Sequence, residues 1–337
     1  MEEVIVMKKR TCLVLVVGLM SLILAGGAAA QKKKLFLLDW IIYGKHAPFF
    51  AAKNFGFYKK QGLNIFYERG FGSGDTAKRI AAKVAPFGFA DTGSVIGARV
   101  AGAKVVEVGM IHAKAPYAIY TLKNKQIRGV RDLKGYNFGS PKGNAARIMF
   151  PAFARKGGLN PGDVRWTTMK YGATLPSLLS GRVDAIVDYT TGGVTHMGKG
   201  RDAGKTVTEF RYTNVGFDVY SNGLIVHEDT IKQNPDMVRR WVKANMEAWG
   251  HCLIYTQKCL NNFYKYAPAM TKRLVNGHYI EALNLLIDEG VKRHGLGWMT
   301  RKKMNDTIGL VTKYTPLKRR IKTKDLYTNK FLPQAGK

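Results

Sequence analysis

Leu63-Asn64-Ile65-Phe66-Tyr67, then Gly70-Phe71-Gly72-Ser73-Gly74-Asp75-Thr76, then Phe87-Gly88-Phe89-Ala90 decide the architecture. The first and third segments are apolar runs of strand length. Between them Asp75 to Lys83 has the length and polarity of a surface helix. A strand, a glycine-rich polar loop, a helix and a second strand form a βαβ unit, which requires parallel pairing. The alternation continues on both sides. Upstream, Leu35 to Leu38 reads as a strand and Pro48 to Lys60 as a helix ending near Gly62. Downstream, Ser94 to Ala101 reads as a helix and Val105 to Met110 as a strand.

The pattern leaves this unit at Ala118–Leu122 and then restarts. Tyr136 to Gly139, Val164 to Thr167 and Ala185 to Asp188 read as strands. Ala145 to Lys156 and Leu175 to Ser180 read as helices. An extended apolar segment within Val215 to Val226 leads back toward the first unit. From Asp229 strands stop, and 235–256, 261–266, 271–294 and 300–312 read as helices. The expected fold class is α/β, two lobes that are each a small doubly wound sheet, with a C-terminal helical layer on the first. The expected division is 31–120 plus 221–337 for lobe 1 and 121–220 for lobe 2. Hinges are expected near Ala118–Leu122 and Val215–Tyr220.

Composition narrows the function classes. With 46% hydrophobic and 11% aromatic residues, the 337-residue chain carries too much apolar material to be disordered. Its formal charge is +31. The basic residues are spread through every segment and no nucleic-acid motif accompanies them, so no specific nucleic-acid partner is expected. Met7-Lys8-Lys9-Arg10, the apolar run Thr11 to Ala25 and Ala28-Ala29-Ala30 read as a secretory signal peptide over residues 1–30. Export to the periplasm is expected, with Gln31 as the mature N-terminus. Of three cysteines, Cys12 lies in the signal. Cys252 and Cys259 fall in one helical stretch, where seven residues rise about 10.5 Å. That exceeds disulfide reach, so both are expected to be free thiols. No metal-ligand spacing surrounds them, and no metal or cofactor is expected.

In open α/β sheets ligands sit beyond the carboxyl ends of strands. Four loops occupy such positions: 39–48, 70–76, 91–94 and 140–144. The last three combine Gly with Ser, Thr, Asp or Asn, which expose backbone N–H groups at a helix start. The same residues are preferred N-caps, so each loop is either a cap or a site. Trp40 either stacks on a flat ring or packs between lobes. His46 either bonds a ligand or caps the helix that starts at Pro48. No nucleotide-binding glycine motif, Ser/His/Asp or Cys/His set, or paired carboxylates on a helix face is found, and nothing demands catalysis.

Asp39-Trp40, His46-Ala47-Pro48-Phe49-Phe50-Ala51-Ala52-Lys53 and Gly56-Phe57-Tyr58-Lys59-Lys60-Gln61-Gly62-Leu63 resemble the opening of periplasmic solute-binding proteins of ABC importers. The 70–75 loop, Phe87-Gly88-Phe89-Ala90-Asp91, Asp132-Leu133-Lys134-Gly135, 178–185 and Asn222-Gly223-Leu224-Ile225-Val226 fit the same group in order. The nearest branch in pattern is the nitrate/sulfonate/taurine and thiamine-pyrimidine-precursor binding group. The resemblance implies a type II-like two-lobed receptor, acting as a monomer, that closes on a small molecule and hands it to an ABC permease in transient contact with the membrane complex. Carried over by motif, the candidate ligand-binding residues are Trp40, His46, Ser73, Gly74, Thr76, Asp91, Thr92, Ser94, Lys142, Gly143 and Asn144. Asp188 and Tyr189, ending a second-lobe strand, join them. The ligand is expected to be a pyrimidine-type thiamine precursor or similar flat heteroaromatic, with a small oxyanion such as an alkanesulfonate, taurine or nitrate as the alternative. A synthase-like enzyme is the alternative of another class. The cysteine-rich segment of the fungal pyrimidine-precursor synthases is missing, which argues against that chemistry.

Overall fold

The computed structural model describes residues 32–314 and 321–333, so the expected signal segment lies outside the described residues. Strand β1 (Lys34–Leu37) passes through a 3-10 turn at Gly44–His46 into helices α1 (Ala47–Asn54) and α2 (Phe57–Lys60). Then follow β2 (Ile65–Glu68), α3 (Ser73–Ala81), β3 (Phe87–Asp91), α4 (Thr92–Val100) and β4 (Val105–Met110). The second half runs β5 (Tyr117–Leu122), β6 (Asn137–Ser140), α5 (Ala145–Lys156), β7 (Arg165–Thr168), α6 (Tyr171–Leu179), β8 (Ala185–Tyr189), α7 (Thr190–Asp202) and β9 (Val207–Arg211). Strand β10 (Asn222–His227) returns. Helices α8 (Glu228–Gln233), α9 (Pro235–Ile254), α10 (Thr256–Phe263), α11 (Lys272–Asn284), α12 (Glu289–His294), α13 (Arg301–Tyr314) and α14 (Thr323–Leu326) follow.

These strands make two five-stranded sheets, in the orders β2-β1-β3-β10-β4 and β7-β6-β8-β5-β9. The βαβ units pair in parallel, β1 with β2 and β3, and β6 with β7 and β8. The strands that follow a crossing run the other way: β10 is antiparallel to β3 and β4, and β5 to β8 and β9. A chain arriving from the other lobe enters a sheet at the opposite end from its neighbours, which fixes that sense. The sequence reading placed the first hinge at Ala118–Leu122. Those residues instead form the strand hydrogen-bonded between β8 and β9, and the crossings are 111–116 and 212–221.

Aromatic packing anchors α9 to the first sheet. Pro235 opens the helix at a position where a missing N–H costs nothing. Trp241 then stacks on Phe87 at 4.3 Å and meets Phe36 edge-on at 5.1 Å. Trp249 meets Phe49 at 5.6 Å. The helical layer also touches the second lobe: α11 packs on α7, and α13 on α5. Among the described residues no helix is long and apolar enough to cross a membrane.

Cys252 and Cys259 correct the free-thiol expectation. They form a disulfide with a Cα–Cα distance of 5.7 Å. The expectation assumed one continuous helix. The chain instead breaks between Ile254 and Thr256, with Tyr255 at φ −107° and ψ 49°, which folds α10 back and brings the two thiols within reach. Labelling of denatured, unreduced protein is therefore expected to find neither thiol free, and reduction to free both. Replacing both cysteines with serine is expected to cost about 2 kcal/mol, the loop-closure value for a ring this short. Recovery of two labelled thiols without reductant would reject the bond.

Candidate functional site

Asp39, Trp40, Tyr43, Lys45, Gly72, Ser73, Asn144, Ala145, Asp188 and Tyr189 line one small cavity between the sheets, about 20 Å³. Asp39, Trp40, Tyr43, Lys45 and Gly72 belong to the connections that follow β1 and β2, and Ser73 opens α3. Asn144 and Ala145 open α5, and Asp188 and Tyr189 end β8. A second space of about 920 Å³ adjoins it. It is lined by Trp40, Ile41, Arg69 and Phe71 from one lobe, and by Pro141, Lys142, Met169, Lys170 and Tyr171 from the other, among others. Trp40 is a wall of both spaces.

The lobes are closed on each other. Trp40 and Tyr171 meet edge-on across the cleft with ring centroids 5.0 Å apart. Tyr43 Oη and Thr191 Oγ1 are 3.0 Å apart, and Thr195 Oγ1 and His278 Nε2 2.7 Å. Gly72 sits at φ +126°, and a Cβ there would lie 2.3 Å from the Gly143 carbonyl of the other lobe. Only glycine takes that conformation without strain and lets the two backbones approach.

Asp39 organises the cavity. Its carboxylate pairs with Lys45 Nζ at 2.5 Å and accepts from Asn222 Nδ2 at 2.8 Å through one oxygen. The other oxygen is 2.8 Å from His46 Nε2. Burial opposes ionisation of Asp39, but the Lys45 ammonium and the His46 hydrogen bond hold its carboxyl well below the usual carboxylate range. Tyr43 N–H donates to His46 Nδ1 at 3.3 Å. That leaves Nε2 to carry the proton and donate to Asp39, and burial lowers the imidazole's pKa against the pull of that carboxylate. Lys45 is buried and surrounded by rings, its ammonium 4.7 Å from the Tyr189 centroid and 5.3 Å from that of Tyr43.

The network continues to the return crossing. Asn222 Oδ1 accepts from Tyr189 Oη at 2.7 Å and lies 3.1 Å from Ser221 Oγ. Ser221 Oγ donates to Asp91 at 2.9 Å, and Tyr117 Oη donates to the same carboxylate. Burial raises the Asp91 pKa against these bonds. On the far side Asp188 accepts from Tyr171 Oη at 2.9 Å and lies 2.8 Å from His196 Nε2.

The expected site residues divide accordingly. Trp40, Ser73, Asn144, Asp188 and Tyr189 line the cavity, and Lys142 lines the outer space. Gly143 supplies the backbone against Gly72, and a Cβ on Gly74 would lie 3.3 Å from Ile148 across the lobes. His46, Thr76, Asp91, Thr92 and Ser94 line neither. His46 orients Asp39; Thr76 Oγ1 donates to the Leu38 carbonyl at 2.9 Å; Thr92 Oγ1 donates to that of Ser221 at 2.7 Å. Asp91 and Asn144 are both N-caps, accepting from Ser94 N and Arg147 N at 3.2 Å. Sequence reasoning missed Asp39, Tyr43, Lys45, Asn222, Tyr171, Arg69 and Phe71. Asp39, Tyr43 and Lys45 lay within the 39–48 loop and Phe71 within the 70–76 loop, and their place there was the available signal.

The family model described as "NMT1/THI5 like" matches residues 44–257. The chain belongs to this family. The riboflavin-binding protein RibY of Chloroflexus aurantiacus is 24% identical to this NMT1/THI5-like chain over 300 residues, 85% of this chain and 82% of that one. A 4-amino-5-hydroxymethyl-2-methylpyrimidine phosphate synthase of Schizosaccharomyces pombe is 23% identical over 218 residues, 62% of each chain. In structure, the periplasmic aliphatic sulphonate binding protein SsuA of Escherichia coli aligns with a TM-score of 0.65 at 14% identity, covering 85% of this chain and 87% of that one. The two-lobed periplasmic-binding-protein fold is therefore that of this family member.

Asp39→Ala is expected to destabilise the protein by about 3–5 kcal/mol, because it leaves the buried Lys45 charge without a partner. Adding Lys45→Met is expected to return most of that loss. The sign with pH follows from the lowered Asp39 pKa: its contribution is complete above about pH 4 and is lost as pH falls. Denaturant titrations across that range test this; an Asp39→Ala variant as stable as the parent at neutral pH would show the pair to be immaterial.

Proposed function

We propose that this chain is an extracytoplasmic solute-binding receptor that captures a flat heteroaromatic molecule between its lobes and delivers it to an ABC permease. The observation that carries the reading is the facing of Trp40 and Tyr171 from opposite lobes, at the junction of a polar cavity and a large groove. Separation of these rings on opening would admit a planar ligand, with Ser73, Asn144, Asp39 and Asp188 at hand for its ring substituents. The riboflavin-binding relative supports a heteroaromatic ligand. Two carboxylates, Asp39 and Asp188, line the inner cavity against one ammonium already paired, which disfavours a bare oxyanion there.

The reading is a receptor rather than an enzyme. His46 has both ring nitrogens engaged, and Asp39 is held by three donors, so neither offers a free base to the cavity. In this reading the second lobe is the part between the crossings at 111–116 and 212–221, and the movement lies in those crossings. Ligand stabilises the closed form by as much as its affinity for that form exceeds its affinity for the open one.

Calorimetric titration against riboflavin, 4-amino-5-hydroxymethyl-2-methylpyrimidine and taurine tests the ligand class; binding of taurine alone would reject it. For the heteroaromatic that binds, Trp40→Ala is expected to weaken affinity by about 1–3 kcal/mol, the range for base–aromatic stacking. A large fall in Tm with unchanged Kd would instead make Trp40 a packing residue.

Closure has its own test. A Cβ on Gly277 of α11 would lie 2.5 Å from Val194 Cγ1 of α7, across the lobes. Gly277→Ala favours its helix by about 1 kcal/mol. In the closed form the same methyl group overpacks by about 1–3 kcal/mol. Affinity is expected to fall about tenfold or more while Tm without ligand holds or rises; unchanged affinity would show that binding does not need this contact.

A further inference from the structure

We propose that the ligand carries an anionic group, such as a phosphate ester, held at the cleft mouth by Arg69, Lys142 and Lys170. This inference rests on the receptor reading above and specifies its ligand. Size comes first. The closed inner cavity of about 20 Å³ has room for little more than a water molecule, or one small substituent of a ligand. The bulk of any ligand therefore lies in the adjoining groove, whose volume of about 920 Å³ suits a molecule of cofactor size.

Charge comes second. The groove has an apolar floor of Trp40, Ile41, Phe71 and Met169, and its cations are Arg69, Lys142 and Lys170. No carboxylate lines it, in contrast to the inner cavity. The three cations come from three different loops on both lobes and are all exposed. Among the described residues, none of them forms an ion pair with a carboxylate. The Arg69 guanidinium lies 4.8 Å from the Phe71 centroid, and its Nε–H donates to its neighbour Gly70's carbonyl at 3.3 Å. Its terminal nitrogens have no carboxylate partner among the described residues. Closure brings Arg69 toward Lys142 and Lys170, and that repulsion is relieved by an anion between them. A planar ring against Trp40 with an anionic substituent directed outward meets both halves of this surface.

The test compares two neutral heteroaromatics with their phosphate esters on the full chain: riboflavin against flavin mononucleotide, and 4-amino-5-hydroxymethyl-2-methylpyrimidine against its phosphate. In at least one pair the ester is expected to bind about tenfold tighter, the sum expected of three exposed ion pairs. Raising the salt shrinks the advantage, and Lys142→Gln with Lys170→Gln removes most of it by weakening the ester about tenfold more than the neutral ring. Equal binding of ester and neutral ring would overturn the anionic group and leave the receptor reading intact. Binding of no member of either pair would overturn both. An ester advantage that survives the double variant would move the anion away from this groove and reject the assignment.

Discussion

A single buried carboxylate ties together the parts of the chain that have to meet. Asp39 holds Lys45 and His46 from its own loop and Asn222 from β10, which lies more than 180 residues later. Asn222 in turn receives Tyr189 from the second lobe. The first strand's loop, the returning strand and the far lobe are thus joined through consecutive hydrogen bonds. A charge this deep is tolerated only when its partners are complete. That condition explains the detail around it: a histidine fixed in one tautomer by a backbone N–H, and an ammonium surrounded by tyrosines in place of water. Removal of any member leaves a buried group unsatisfied, so the network confines the loop to one arrangement.

Much of the fold was legible in the sequence, because the signals that define strands and helices here are local. Val105–Met110 and Ala145–Lys156 agree residue for residue with β4 and α5. Helix α7 and strand β9 were not anticipated. Thr190–Asp202 contains four glycines, which by propensity argue against a helix. Tertiary contact explains one directly: a Cβ on Gly193 would stand 2.3 Å from the Tyr120 hydroxyl. The helix lies so close to β5 that only glycine fits, and packing offsets the weak propensity. The cysteine pairing failed for a related reason. The break at Tyr255 has no proline or glycine to announce it, and its geometry comes from packing of α10 against α1.

Legibility of the site stopped at the same boundary. Loops at strand ends can be found by pattern, and three of the four chosen loops line the inner cavity. The division of labour within each loop cannot. Asp91 and Asn144 are both N-caps by sequence and both cap helices in the structure, yet only Asn144 faces the cavity. Lys45 is one of many lysines in a basic chain, and nothing in its local sequence marks it for burial. Its burial depends on Phe89 and Tyr189, which arrive from separate strands. A residue whose environment is built by distant segments leaves no local trace.

The placement of charge gives the chain's basicity a physical meaning. Of the +31 formal charge, almost none is inside: Lys45 is the one buried lysine or arginine among the described residues, whereas Asp39, Asp91, Glu107 and Asp188 are all buried. The surface is therefore more basic than composition alone implies. Such a field draws anions toward the protein from every direction and cannot by itself choose among them. Choice requires a second element of opposite character, and the cleft provides one, since its inner wall presents two carboxylates just beyond the aromatic pair. A small bare anion attracted to the mouth meets repulsion on going deeper. A molecule whose charge and ring occupy different ends does not, because each end meets the surface that suits it. In the receptor reading proposed above, attraction at the mouth would set the encounter rate, and the buried polar interior would set which encounters end in closure.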